Sequence, residues 1–285
     1  MSLPLPRSLS PSKVTTFRDC ALAFRFSAID RLEEPPSPAT TKGTLVHVAL
    51  ERLFWHHEPG DRGREVAHAE LQAAWALMEE SGELDMIGLD EAGRTAFLAD
   101  AATLVDGYLR LEDPDTVTPI GVELTLEAEI ASGDRSNALL LRGIIDRLDV
   151  TDTGELVVVD YKTGRVPSER QEQQRLGGVQ FYALLCEHVL GRRPSKVRLL
   201  YLREPVCIEA DPSDQALRGL RQRTMAVWSA IERACAAEDF RPKPSALCNW
   251  CAYKPLCPAF GGDPARAADW PLDAPAERPE VAEAV

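Results

Sequence analysis

The stretch LVVVDYKTG, residues 156–164, decides the reading of this chain. Its run of apolar, mostly β-branched residues predicts a buried strand, and that strand ends in Asp160-Tyr161-Lys162. A strand repeats every two residues, so the Asp160 carboxylate and the Lys162 ammonium fall on one face. Burying either charge is costly, so the pair is either a salt bridge closing the strand or part of a chemical site.

Upstream, LLLRGIIDRLDV (139–150) places Asp146 inside an otherwise apolar strand. If this strand pairs with 155–161 as a hairpin, Asp146 and Asp160 converge. Two carboxylates and a carbonyl would make a hard oxygen site for Mg²⁺ or Mn²⁺. The alternative is that Asp146 pairs only with Arg142 or Arg147. A further strand is expected at 120–130, with turn signals at Ser132-Gly133-Asp134 and Asp152-Thr153-Gly154. Within it, Glu123 and Glu127 belong either to the site or to a solvated strand face.

Downstream, a helix is expected at 170–190, a strand at 196–203 and a helix at 213–238. Before the strands come a capped opening helix (LSPSKVTTFRDCALAFRF), a proline-rich loop at 33–42 and a helix from Gly43 to Trp55. Two amphipathic helices follow within 64–111, parted near Gly82 to Gly88. This order predicts an α/β fold, a sheet with helices packed on it. The stretch 262–285, rich in Ala, Pro and acidic residues, is expected to be a disordered tail.

His47 lies one helical turn after Gly43 and one before Glu51, so the three share a face, with room at Gly43 for a neighbouring group. His56, His57, His68 and His188 are read as ordinary structural histidines. The cysteines cluster unevenly: Cys248, Cys251 and Cys257 have the spacing C-x₂-C-x₅-C. Three clustered thiolates need a fourth ligand, and Cys20 is the candidate unless it is a plain core cysteine. The ligand set alone accepts zinc as readily as an iron–sulfur cluster. Cys186, Cys207 and Cys235 are expected in the core.

A net charge of −13 over 285 residues disfavours nucleic acid, yet the charge is segregated. Residues 65–115 carry thirteen acids against two arginines, and 162–203 carry nine cations against three glutamates, so a basic face remains possible. No apolar run spans a bilayer and no secretory signal is recognisable, which makes a cytoplasmic protein without a membrane partner the expectation. The chain lacks a G-x-x-x-x-G-K-[ST] loop, so a motor ATPase would be a separate polypeptide.

The set G-x-x-x-H (43–47), G-x-x-D-R (143–147) and D-Y-K-T-G (160–164) resembles the RecB-like branch of the PD-(D/E)XK nucleases. That branch includes the RecB and AddB nuclease domains and the CRISPR-associated exonucleases. The resemblance implies a restriction-endonuclease-like core, a mixed central sheet flanked by helices, with a helical insertion at about 64–111. It implies one nuclease domain over 1–261, with cluster-binding ends at 8–28 and 244–260. His47, Asp146 and Asp160 would be metal ligands together with the Tyr161 carbonyl, and Glu123 would join them. Lys162 would activate the attacking water. Cys20, Cys248, Cys251 and Cys257 would hold a [4Fe–4S] cluster stapling the terminus.

The family's Gln-x-x-x-Tyr is altered here: Tyr182 is present, Gly178 stands four residues before it, and Gln180 or Gln174 would take over the contact. The implied activity is metal-dependent hydrolysis of DNA, as an exonuclease preferring single strands, in repair or recombination. DNA, single-stranded or at duplex ends, would be the partner, threading along Lys162 to Arg203, with a separate helicase as a further partner. The alternative is a catalytically silent DNA-end-binding scaffold subunit of a helicase–nuclease complex.

Overall fold

In a computed structural model of the chain, residues 2–131, 138–166 and 169–271 are described. The Ser132-Gly133-Asp134 turn signal lies outside them. The expected alternation of elements is realised as a five-stranded mixed sheet flanked by helices. Its strands are β1 (Pro119–Ala131), β2 (Ala138–Val150), β3 (Leu156–Lys162), β4 (Lys196–Tyr201) and β5 (Val206–Ala210), in the spatial order 1-2-3-4-5. β1, β2 and β3 pair antiparallel, and β4 and β5 do likewise. β3 and β4 run parallel, so the chain must cross over between them, and helix α6 (Glu169–Leu190) makes that crossover.

β3 is buried from Leu156 through Tyr161, as expected of a strand covered on both faces. On one side its Val157, Val159 and Tyr161 join a core with α3 (Pro38–His56), α4 (Arg64–Glu80) and α5 (Glu91–Leu109). α3 starts at Pro38, before the expected Gly43 and inside the expected proline-rich loop, because a capping box opens it there. Ser37 accepts from the Thr40 amide at 3.2 Å, its own amide donates to Thr40 Oγ1 at 3.1 Å, and Pro38 fills the first turn.

Two compact units are present. One comprises Arg7–Ser12 and Pro36–Trp228 and contains the sheet and α3 to α6. The other comprises Met1–Pro6, Lys13–Pro35 and Ser229–Val285. In this second unit Phe24, Phe26, Ile231, Phe240, Tyr253 and Leu256 are buried.

Several expectations need correction. The opening helix is not continuous: α1 (Pro11–Asp19) stops at Cys20, whose backbone is extended (φ −158°, ψ 112°). A short α2 (Ala21–Phe24) and a π-turn (Arg25–Ile29) follow. β4 ends at Tyr201, and a further short strand, β5, follows it, with only Ile208 buried. Cys186 and Cys235 are buried as expected, whereas Cys207, on β5, is exposed. Within the stretch expected as a tail, Pro264–Asp269 form a 3₁₀ segment, and the Trp270 indole donates to the Glu33 carbonyl at 2.8 Å. The rest of the expected tail, 272–285, lies outside the described residues. Among the described residues, no helix is long and apolar enough to cross a membrane.

Candidate metal centre

The sheet register assembles the acidic site. Val122 faces Arg147 and Leu124 faces Ile145, which sets Glu123 across from Asp146. Arg147 faces Val159 on the other side, so the next step along brings Asp146 across from Asp160. Three acidic residues thus form one row across three neighbouring strands. Helix α3 closes the row with His47, whose Nδ1 lies 3.6 Å from Asp146 Oδ2 and 3.7 Å from Glu123 Oε1. The ring's Nε2 lies 3.2 Å from the Tyr161 carbonyl oxygen. Among the described residues, His47, Glu123 and Asp146 form a group of metal-capable side chains with donor atoms all within 4.8 Å of one another.

Gly43 lets α3 come this close, since a Cβ there would sit 3.3 Å from Thr163 Oγ1 in the loop after β3. The backbone of Glu123 is left-handed (φ 45°) in the middle of a strand. A non-glycine residue held there stores strain, and such strain collects at functional sites. Glu127 shows the other outcome: it stays on the exposed face and pairs with Arg142 at 3.4 Å. The two glutamates therefore separate, one to the site and one to solvent.

The crowding of carboxylates explains the electrostatics. Burial and the neighbouring Asp160 charge push the Asp146 carboxyl up to about 7. Burial pulls His47 down, but the Glu123 hydrogen bond and the Asp146 charge outweigh it, so the imidazole is held above its ordinary value. Lys162 pairs with Asp160; burial pulls the ammonium down, but the Asp160 charge and hydrogen bond together with the Asp146 charge outweigh it and raise it. The site without a cation thus retains protons to offset its negative charge. A divalent ion would supply that offset, and the donor set of one imidazole, carboxylates and a backbone carbonyl suits Mn²⁺ or Mg²⁺.

Tyr182, on α6, is half-buried and feels the charges of Asp160, Asp146 and Glu123, which together with burial raise its phenol. Gln180 lies two residues before Tyr182 on α6, about 200° around the helix. The Gln174 side chain lies outside the described residues. Among the described residues of the basic run 162–203, several cations form ion pairs. Arg193 bonds Glu187 and Asp214, Lys196 and Arg198 share Glu209, and Arg203 bonds Asp100 through two nitrogens.

In the second unit, Cys20, Cys248, Cys251 and Cys257 all line one cavity of about 220 Å³. The break at Cys20 between α1 and α2 and the 3₁₀ turns at Ala246–Asn249 and Lys254–Leu256 present them to it. The Ser245 amide donates to Cys248 Sγ at 3.3 Å. Burial, with the three other sulfurs adding to it, raises the Cys251 thiol. A single zinc ion would gather four sulfurs to about 3.8 Å apart, from a bond of about 2.3 Å in a tetrahedron. Four thiolates around one cavity accept a zinc ion or an iron–sulfur cluster.

The profile of the PD-(D/E)XK nuclease superfamily matches residues 8–258. The chain belongs to that superfamily. It is also similar to the Gene 69 protein of Mycobacterium phage D29, 25% identical over 278 residues, covering 88% of this chain and 96% of the relative. A solved protein from Eubacterium rectale, named provisionally as an exonuclease, shares the fold with a TM-score of 0.53. It is 13% identical, over 87% of this chain and 88% of its own. Membership makes this chain a hydrolytic nuclease in type, and the acidic row lies where its three sequence motifs meet.

Proposed function

We propose that the protein is a RecB-like DNA exonuclease that uses Mn²⁺ or Mg²⁺, prefers single strands and carries a [4Fe–4S] cluster. The observation that carries the catalytic reading is the row Glu123–Asp146–Asp160 with His47 at its end and Lys162 beside it. His47, Glu123, Asp146, Asp160 and the Tyr161 carbonyl would hold the ion. When bound, it would polarise the scissile phosphate and lower the pKa of a water.

The chain's own residues supply the rest. Lys162, held by Asp160, offers a fixed positive charge where negative charge develops on the phosphate. Tyr182 borders the row from α6 and orients the strand to be cut. Sequence information is not needed for such a site, since phosphate contacts position the substrate without reading bases.

Cys20, Cys248, Cys251 and Cys257 would bind the cluster, and we read 1–261 as one nuclease domain whose cluster-binding ends are 8–28 and 244–260. DNA repair or recombination in the cytoplasm, with a separate helicase opening duplexes, is the setting this reading favours. Asp146, Asp160 and Lys162 together speak against a silent scaffold, which gains nothing from a costly pair of largely buried carboxylates.

Circular single-stranded DNA, linear single-stranded DNA and linear duplex, each offered with Mn²⁺, test the finer claims. The proposal expects the linear single strand to be degraded first and the circle to survive. Rapid loss of the circle would make the enzyme an endonuclease instead.

A further inference from the structure

A second polar cluster lies on the opposite face of the sheet from the carboxylates. Side chains alternate along a strand, so Arg147 and Tyr161, neighbours of Asp146 and Asp160, point into the layer of α3 and α5. Arg147 is fully buried. Its Nη1 donates to the Glu112 carboxylate, to Tyr108 Oη at 3.2 Å and to Tyr161 Oη at 3.0 Å. Its Nε donates to Asp149 Oδ2 at 3.1 Å, and the guanidinium lies 4.7 Å from the Phe54 ring centroid.

Stability does not account for this cluster. Apolar side chains of similar volume usually serve a core as well as, or better than, buried ion pairs. What the cluster does hold is Tyr161. The backbone of that residue belongs to the metal site, with its amide donating to Asp146 Oδ2 at 2.7 Å and its carbonyl against His47. Its ring packs edge-on against His47 (5.9 Å between centroids) and against Tyr108 (5.7 Å). Only the hydroxyl end is left to fix, and Arg147 fixes it.

We infer that Arg147, with Glu112 and Asp149 as its counter-charges, is a positioning residue for the metal centre, setting the placement of Tyr161 against His47 and Asp146. This rests on the metal-centre reading above. Groups that orient metal ligands commonly change affinity by about 10- to 100-fold when lost, and a residue that merely fills the core would not.

The test is Mn²⁺ binding without DNA, followed by the electron paramagnetic resonance of free Mn²⁺. The protein is freed of divalent ions and its iron content verified. Tyr161→Phe removes only the hydroxyl and keeps ring and backbone. Arg147→Lys keeps a charge but loses the fork that reaches Glu112, the tyrosines and Asp149 together. Both variants are expected to weaken Mn²⁺ at least about tenfold, with Tyr161→Phe melting within a few degrees of wild type. Mn²⁺ binding by Tyr161→Phe within twofold of wild type overturns the inference, and that variant decides alone if Arg147→Lys does not fold. No Mn²⁺ binding by wild type overturns the metal-centre reading first, and this inference with it.

Discussion

The backbone amide of Tyr161 donates to Asp146 Oδ2 at 2.7 Å, so one strand's main chain orients the carboxylate of the next. That bond favours the charged carboxylate, yet burial and Asp160 still push Asp146 up to about 7. The unfolded value is near 3.8, so the folded, metal-free chain keeps a proton between about pH 4 and 7 that the unfolded chain has released. Stability present below that window is lost as pH rises through it. His47, raised chiefly by the Glu123 hydrogen bond against the pull of burial, acts in the same direction above its ordinary value of 6.5.

The metal-free Asp146→Asn variant should therefore melt close to wild type at pH 4 and about a few degrees higher at pH 8. Melting curves across this range check it. A difference that shrinks with rising pH would contradict the assigned proton. Mn²⁺ should raise the wild-type melting temperature more at pH 8 than at pH 6, because its binding releases those protons.

Lys162 pairs with Asp160 and has no place among the proposed ligands. Lys162→Met should cut the cleavage rate by about 10²–10³-fold, the scale for losing a fixed charge at a transition state. Its half-saturating Mn²⁺ should move less than for Asp160→Asn. Equal shifts in metal affinity for both variants would place the lysine in metal binding instead.

The cysteine-lined cavity makes its own prediction. Anaerobically purified protein should be brown, absorb near 400 nm and hold about four irons per chain, as expected of four thiolates around one cluster. Cys251→Ala should remove the colour and lower the melting temperature. Stoichiometric zinc in a colourless, fully folded preparation would contradict the cluster.

Packing in the helical insertion is testable at Gly107. A Cβ there would lie 1.8 Å from the Leu202 carbonyl oxygen, and backbone cannot swing aside as a side chain can. Gly107→Ala should destabilise the fold by about 1–3 kcal/mol or more, read from chemical denaturation. A neutral result would mean that α5 does not pack so closely on the end of β4.

The strands were legible because β3 is a near-continuous apolar run and β2 an apolar run broken by Asp146; the motifs on them pointed to Asp146 and Asp160, and the one on α3 to His47. Glu123 was harder to place. Strand alternation gives it the same face as Glu127, and the register with β2 sets Glu123 across from Asp146 but Glu127 across from Arg142. The role of Arg147 was hidden for a related reason. Sequence offered it as a partner for Asp146, but the pleat turns the two side chains to opposite faces. The ion pairs within the basic run at 162–203 were not legible, because local charge counts omit partners distant in sequence, such as Asp100 for Arg203. Cys20 read as part of a helix because its neighbours are helix formers, while the chain breaks there.

Metal-dependent cleavage of end-labelled DNA, comparing wild type with Asp160→Ala, tests the central claim most directly. With Mn²⁺, wild type should shorten the DNA, chelation should stop it, and Asp160→Ala should be inert at equal protein concentration. Intact DNA after incubation with cluster-loaded wild type and Mn²⁺, or cleavage that survives Asp160→Ala, would contradict the account.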